Sequence, residues 1–276
     1  MEKLRICFIG TGSMGSAVLQ GLVASGYDKK LISATTRSEA SAAKLREQGI
    51  SALAIETSAD ANQLLASDAQ LIVLGVKPYQ IADVLTQIRE EIDKEAVVIS
   101  MAAGIELKTM AEKLPKQKNL IRTMPNTPAL VGKGVTGLVG AQSASKDAIE
   151  ASIALFETVG EVVEIEESQI NALSAISGSG PAWLMFIVEK WEEVAISKGF
   201  TPEQAAKLVR STLIGSAQLL ANTGDEPALI RKNVTSPGGT TERIIATLDA
   251  GELNELFDSA LEAAVKRAHE IASSNS

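Results

Sequence analysis

A chain of 276 residues with 45% hydrophobic and only 3% aromatic residues can bury one large core or two medium ones, built from Ala, Leu, Ile and Val rather than rings. Thirty-four acids against 26 bases leave a net charge of −8, which excludes the basic footprint of a nucleic-acid or anionic-membrane binder. A single cysteine, Cys7, and a single histidine, His269, exclude an intrachain disulfide and a Cys/His metal centre, so no metal is expected.

The first element is the apolar run Leu4–Ile9, continuous enough for a central parallel strand covered on both faces. Gly10-Thr-Gly12-Ser13-Met14-Gly15 follows at once, and Ala17, Val18, Leu19 and Leu22 then predict a helix that Gly26 can end. Strand, Gly-x-Gly-x-x-Gly and helix in this order are the context that makes the pattern a dinucleotide fingerprint. Gly10 permits the tight turn, Gly12 the close approach of a diphosphate, and Gly15 the packing of helix on strand. The second strand, Leu31–Thr35, should end at the adenosine ribose. An NAD-specific site places Asp or Glu there. This chain reads Thr36-Arg37-Ser38 instead, a guanidinium flanked by two hydroxyls and suited to a 2′-phosphate. NADP(H) is therefore the preferred cofactor, with NAD(H) as the alternative; Arg37 would otherwise be a solvated helix-start residue.

Further strands are predicted at 71–75, 97–100, 120–123 and 135–139, separated by amphipathic helical stretches at 39–48, 80–92 and 106–114. This alternation is the mark of an α/β doubly wound, Rossmann-type sheet. Several strand ends carry unusual punctuation: Gly75-Val76-Lys77-Pro78, Met101-Ala102-Ala103-Gly104 and Met124-Pro125-Asn126-Thr127-Pro128. Ligands of open α/β sheets lie outside the carboxyl ends of the strands, so these segments should wall the cofactor crevice, unless they merely end strands.

A helix at 146–159 and an edge strand at 162–165 close this domain, residues 1–165. From 166 to 276 the strand signal stops, and an all-helical domain is expected. Helices are predicted at 169–176 and 181–197 around a turn at Ser177-Gly-Ser-Gly180, and Thr201-Pro202-Glu203-Gln204 is a capping box opening a long helix. The stretch from Trp183 to Trp191 is apolar nearly all round, which suggests that a subunit interface completes its burial. Near the end stands Asn233-Val-Thr-Ser236-Pro-Gly238-Gly239-Thr240-Thr241, just before a helical pattern at Ile244, Ile245 and Leu248. A Gly-Gly turn opening a helix aims free N–H groups outward, a ready site for a small anion such as a carboxylate. An ordinary interhelical turn is the plainer alternative. No run approaches the ~20 apolar residues of a membrane span. The first apolar run is too short for a signal peptide. A soluble, cytoplasmic protein is expected, with no membrane partner.

Taken together, Gly10-Thr-Gly-Ser-Met14, Gly75-Val-Lys-Pro78, Met101-Ala-Ala-Gly104, Met124-Pro-Asn-Thr-Pro128, Ser177-Gly-Ser-Gly-Pro181 and Val234-Thr-Ser-Pro-Gly-Gly-Thr-Thr-Glu242 resemble the Δ1-pyrroline-5-carboxylate reductases over essentially the whole length. Two departures are small: Gly15 and Thr240 stand where relatives often carry alanine. The resemblance implies hydride transfer from a nicotinamide to a cyclic imine bearing a carboxylate, giving proline, the last step of proline biosynthesis. It implies a homodimer, in many members assembled into a decamer, a pentamer of dimers. It also implies roles: the N–H groups of Gly238, Gly239 and Thr240 on the carboxylate, the Thr241 hydroxyl on the ring nitrogen, Asn233 and Ser236 shaping the loop, and Asn62 near the adenosine. Threonine is too weak an acid to protonate an imine outright; an iminium substrate or a water relay are both open. A β-hydroxyacid dehydrogenase also begins Gly-x-Gly-x-Met-Gly, but it needs a catalytic lysine after a glycine-rich lead-in, and here apolar residues follow Gly180. A cofactor-sensing protein without catalysis would need no 233–241 loop.

Overall fold

The structure, a computed structural model, describes residues 3–274. Strands β1 (Ile6–Ile9), β2 (Ile32–Thr36), β3 (Ser51–Ala54), β4 (Leu71–Leu74), β5 (Val97–Ser100), β6 (Leu120–Pro125), β7 (Gly134–Gly140) and β8 (Gly160–Glu164) form one sheet. Its order is β3-β2-β1-β4-β5-β6-β7-β8. All neighbours pair in parallel except β6 and β7, which are antiparallel. Strand order reverses between β1 and β4, so the carboxyl ends of these two strands open a crevice of the kind that takes a dinucleotide.

All four residues of β1 are buried, and they alternate between two cores. Ile6 and Phe8 pack with Val18, Leu19 and Leu22 of α1 (Ser13–Ala24), with Leu45 of α2 (Glu39–Glu47), and with Leu155 and Phe156 of α6 (Lys146–Phe156). Cys7 and Ile9 face the other layer, built from α3 (Ala61–Ala66), α4 (Ile81–Ile88) and α5 (Leu107–Lys113). Helix α4 shows why these segments are helical: Ile81, Val84, Leu85 and Ile88 recur at three- and four-residue spacing, and all four are buried. Each such burial contributes about 1.5–3 kcal/mol. Burial also pushes the Cys7 thiol up to about 12.

The doubly wound expectation holds, with two elements that the sequence pattern does not announce. Strand β3, Ser-Ala-Leu-Ala, has no β-branched residue, and α3 is only six residues long, so neither carries enough periodicity to stand out. Asn62, if only a turn residue, would be exposed; it lies instead in α3 and is buried.

The helical part begins with α7 (Ile170–Leu173), followed by a π-helical stretch at Ser174–Gly178 and then α8 (Gly180–Ser197). In place of the turn expected at Ser177–Gly180, the chain forms a wide π-helical bulge and a bend at Ser179. The joined run Glu167–Ser197, 31 residues at mean hydropathy 1.2, is long and apolar enough to cross a membrane, although only 11% of its apolar window is buried within the chain. Then come α9 (Pro202–Thr223), capped by Thr201 and Gln204 as expected, α10 (Pro227–Asn233), α11 (Thr240–Ala250) and α12 (Leu253–Ser274).

Two compact units result: Met1–Ser179 with Ala264–Ser276, and Gly180–Ala263. In the first, an ion pair joins buried Arg122 of β6 to Glu167 at 3.1 Å, and the same carboxylate oxygen accepts the N–H of Leu107 at the start of α5. In the second, Arg210 forks onto Glu192 at 2.7 and 3.3 Å, and Trp183 meets Phe257 edge-to-face. Only Val188, Ala205 and Val209 are buried hydrophobics among the described residues of that unit, while Phe186, Ile214 and Leu256 are 57%, 64% and 66% exposed. So large an apolar surface marks an interface.

Candidate active site

The glycine loop lies where β1 hands over to α1. Gly10 takes φ +84°, and its N–H donates to the carbonyl and the hydroxyl of buried Thr35 at 3.2 and 3.1 Å. The loop is thereby tied to the end of β2. Gly12 is the N-cap of α1, which has no side-chain cap and no acid in its first turn. The N–H groups of Ser13, Met14 and Gly15 consequently have no intrahelical acceptor. A Cβ on Gly12 would meet only the Gly75 carbonyl, at 3.8 Å, so the space in front of the loop is open. This bare, open helix start fits a diphosphate.

The strand ends expected to wall the crevice do sit around that loop. The Gly75 N–H donates to Ile9 at 2.8 Å, and a Cβ on Gly10 would strike Val76 at 2.5 Å. Lys77 and Pro78 begin a single 3₁₀ turn, with the Lys77 N–H on Gln80 Oε1 at 3.2 Å. Ala102 is buried with its N–H on Ser100 Oγ at 3.3 Å, while Ala103 is exposed beside Gly104, at φ +74°. Asn126 bridges two segments: its Nδ2 donates to the Ser177 carbonyl at 3.0 Å and its Oδ1 accepts from the Val135 N–H at 2.8 Å. It clamps the bulged helix to the end of β6.

At the ribose end, Thr36 and Ser38 each make a hydrogen bond within the protein. Thr36 is buried, and its hydroxyl donates to the Ser38 carbonyl at 2.8 Å. The Ser38 hydroxyl caps α2, 3.4 Å from the Ser41 N–H. Arg37 is exposed and forms no ion pair among the described residues. Asn62 donates to Gln87 at 3.1 Å, while its buried Oδ1 has no partner among the described residues. An orphaned buried acceptor calls for a donor from outside, which again suits a bound cofactor. A cavity of about 980 Å³ opens at the opposite end of the sheet, beside Arg5, Gln70, Val97 and Asn119. Those are the amino ends of the strands, where open α/β sheets do not carry their ligands.

The second predicted cradle leads into α11. Gly238 takes φ +72° and Gly239 caps the helix with extended backbone. A Cβ on Gly239 would lie 2.5 Å from Ser236 Oγ, so only glycine lets Ser236 fold beneath the turn. Two of the three N–H groups expected to hold an anion are already in use. Gly238 donates to the Glu242 carboxylate at 2.8 Å, and Gly239 closes the turn on Ser236 O at 3.0 Å. The N–H groups of Thr240, Thr241 and Glu242 remain without intrahelical acceptors. Half-buried Thr241 makes no hydrogen bond through its hydroxyl among the described residues, unlike Thr235 and Thr247, which bond back to their own helices. Asn233 is exposed at the end of α10.

Residues 167–271 match the family described as pyrroline-5-carboxylate reductase dimerisation. Residues 5–104 match the one described as NADP oxidoreductase coenzyme F420-dependent. A pyrroline-5-carboxylate reductase of Vibrio alginolyticus is 37% identical, covering 98% of each chain, and one of Corynebacterium melassecola is 35% identical, covering 96% of this chain and 98% of that one. A solved pyrroline-5-carboxylate reductase of Coxiella burnetii superposes with a TM-score of 0.92 at 36% identity, covering 98% and 99%. The NADP-bound pyrroline carboxylate reductase of Plasmodium falciparum superposes at 0.81 with 25% identity over 99% of each chain. With identity above 30% sustained from end to end, the chain belongs to the pyrroline-5-carboxylate reductase family.

Proposed function

We propose that the protein reduces 1-pyrroline-5-carboxylate to L-proline at the expense of NADPH. When bound, the cofactor supplies the hydride for the imine carbon. Gly10, Gly12, Ser13, Met14 and Gly15 hold the diphosphate through the open first turn of α1, and Arg37 takes the 2′-phosphate. Val76, Lys77, Pro78, Ala102, Ala103 and Gly104 bound the same crevice. Asn62 offers its orphaned oxygen to the cofactor.

The substrate carboxylate takes the start of α11. Thr240 and Thr241 contribute free N–H groups there, and the ligand displaces Glu242 from the Gly238 N–H. Asn233 and Ser236 shape the loop. The observation that carries this reading is the unpartnered Thr241 hydroxyl at the head of a helix whose first N–H groups are open. That hydroxyl can hydrogen-bond the ring nitrogen and orient the C=N bond. It then serves the nitrogen as the imine becomes an amine.

A homodimer in the cytoplasm, with dimers gathered five at a time, completes the proposal. Its support is the dimerisation match across residues 167–271 and the exposed Phe186, Ile214 and Leu256. The test follows reduced-cofactor absorbance with purified protein, NADPH and pyrroline-5-carboxylate, beside a run with a 3-hydroxy acid and oxidised cofactor. Turnover in the second run alone would overturn the reading. Sedimentation at micromolar concentration reads the assembly.

A further inference from the structure

The sequence shows no acid at the end of β2, but the structure brings one there from the next strand. Strands β2 and β3 pair in parallel with Thr36 opposite Ala54, so the chain after Ala54 runs on beside Arg37 and Ser38. The Ile55 N–H donates to Thr36 at 2.9 Å, and the Glu56 N–H to Arg37 at 3.3 Å. The Glu56 carboxylate accepts the N–H of Glu39, the first residue of α2. The Ser38 hydroxyl is engaged with Ser41, which leaves that N–H to Glu56. The other charged groups here are Glu39, whose carboxylate meets Arg46 and, at 3.4 Å, the Thr57 hydroxyl, and the unpaired Arg37.

We infer that Glu56 is the residue that tempers cofactor choice at this end of the site, an inference that rests on the NADP(H) reading above. Arg37 and Glu56 pull in opposite directions. A ribose 2′-hydroxyl can donate to the Glu56 carboxylate, as it does to the acid of an NAD-type site. A 2′-phosphate carries at least one more negative charge, seeks Arg37 and the N–H at the start of α2, and must move Glu56 off that N–H to take it. The chain therefore accepts NADH beside NADPH, and Glu56 sets how far the balance leans.

The test compares binding of 2′,5′-ADP and 5′-AMP by calorimetry on the full-length assembly of wild type, Glu56→Gln, Glu56→Ala and Glu39→Gln. Removing one negative charge a few ångströms from a phosphate in a solvated site is expected to tighten 2′,5′-ADP by about tenfold while 5′-AMP holds or weakens. The NADPH/NADH ratio of kcat/KM should rise in parallel. An unmoved ratio of dissociation constants in both Glu56 variants, with both nucleotides bound by wild type, overturns this inference alone. So does an equal shift from Glu39→Gln, which would reduce the effect to general charge. Failure of wild type to bind either nucleotide would instead bring down the cofactor assignment, and this inference with it.

Discussion

Glu167→Gln puts the Arg122 ion pair to a quantitative test. The Arg122 side chain is 5% exposed and Glu167 37%. Neutralising the glutamate leaves a guanidinium nearly without water and without its counter-charge. Breaking a fully buried pair in this way costs about 3–5 kcal/mol. Here water reaches the glutamate side, and an amide oxygen can still accept from Leu107 and weakly from Arg122, so the expected cost is about 2–3 kcal/mol. For a chain of 276 residues that lowers Tm by roughly 4–6 °C. The reverse change, Arg122→Met, should cost less, about 1 kcal/mol, because Glu167 can be hydrated and the methionine fills the apolar space. The double variant should be no less stable than Glu167→Gln, since no charge is then stranded. Thermal unfolding followed by circular dichroism at fixed protein concentration reads all three. A loss under 0.5 kcal/mol in Glu167→Gln, or a larger loss in Arg122→Met than in Glu167→Gln, would refute the reasoning that the desolvated guanidinium carries the cost.

Thr241→Ala should lower kcat by about 10- to 100-fold, the worth of a hydrogen bond to a group developing charge. NADPH affinity by fluorescence titration should stay put, and Thr241→Ser should restore most of the rate; an unchanged kcat removes the hydroxyl from the reaction. Arg37→Asp should move the NADPH/NADH ratio of specificity constants towards NADH by about tenfold or more, because a fork donor becomes a like charge. A ratio that stays fixed takes Arg37 off the phosphate. Cys7, with its thiol pushed up to about 12, carries essentially no thiolate between pH 7 and pH 9. It should therefore resist a disulfide reagent across that range in the native state and react only after denaturation, and fast labelling of native protein would contradict its burial.

Much of this molecule is legible from the chain alone, because its signals are local. A strand running straight into Gly10-x-Gly12-x-x-Gly15 and a helix declares a turn whose geometry only glycine permits, and the Thr201–Gln204 box declares a helix start. The continuous apolar character of 6–9, 71–74 and 97–99 declares strands covered on both faces. What depended on tertiary structure are the relations across sequence distance. Glu56 reaches Glu39 only because β3 pairs beside β2, and Arg122 finds Glu167 only because β6 and the start of the helical run converge. Nor does composition reveal that the Thr36 hydroxyl bonds to Ser38, that Asn126 bridges Ser177 and Val135, or that Glu242 sits on the Gly238 N–H. Residue type states what a side chain can bond. Which partner uses that capacity first is settled by strand register and helix phase, which emerge when the sheet assembles.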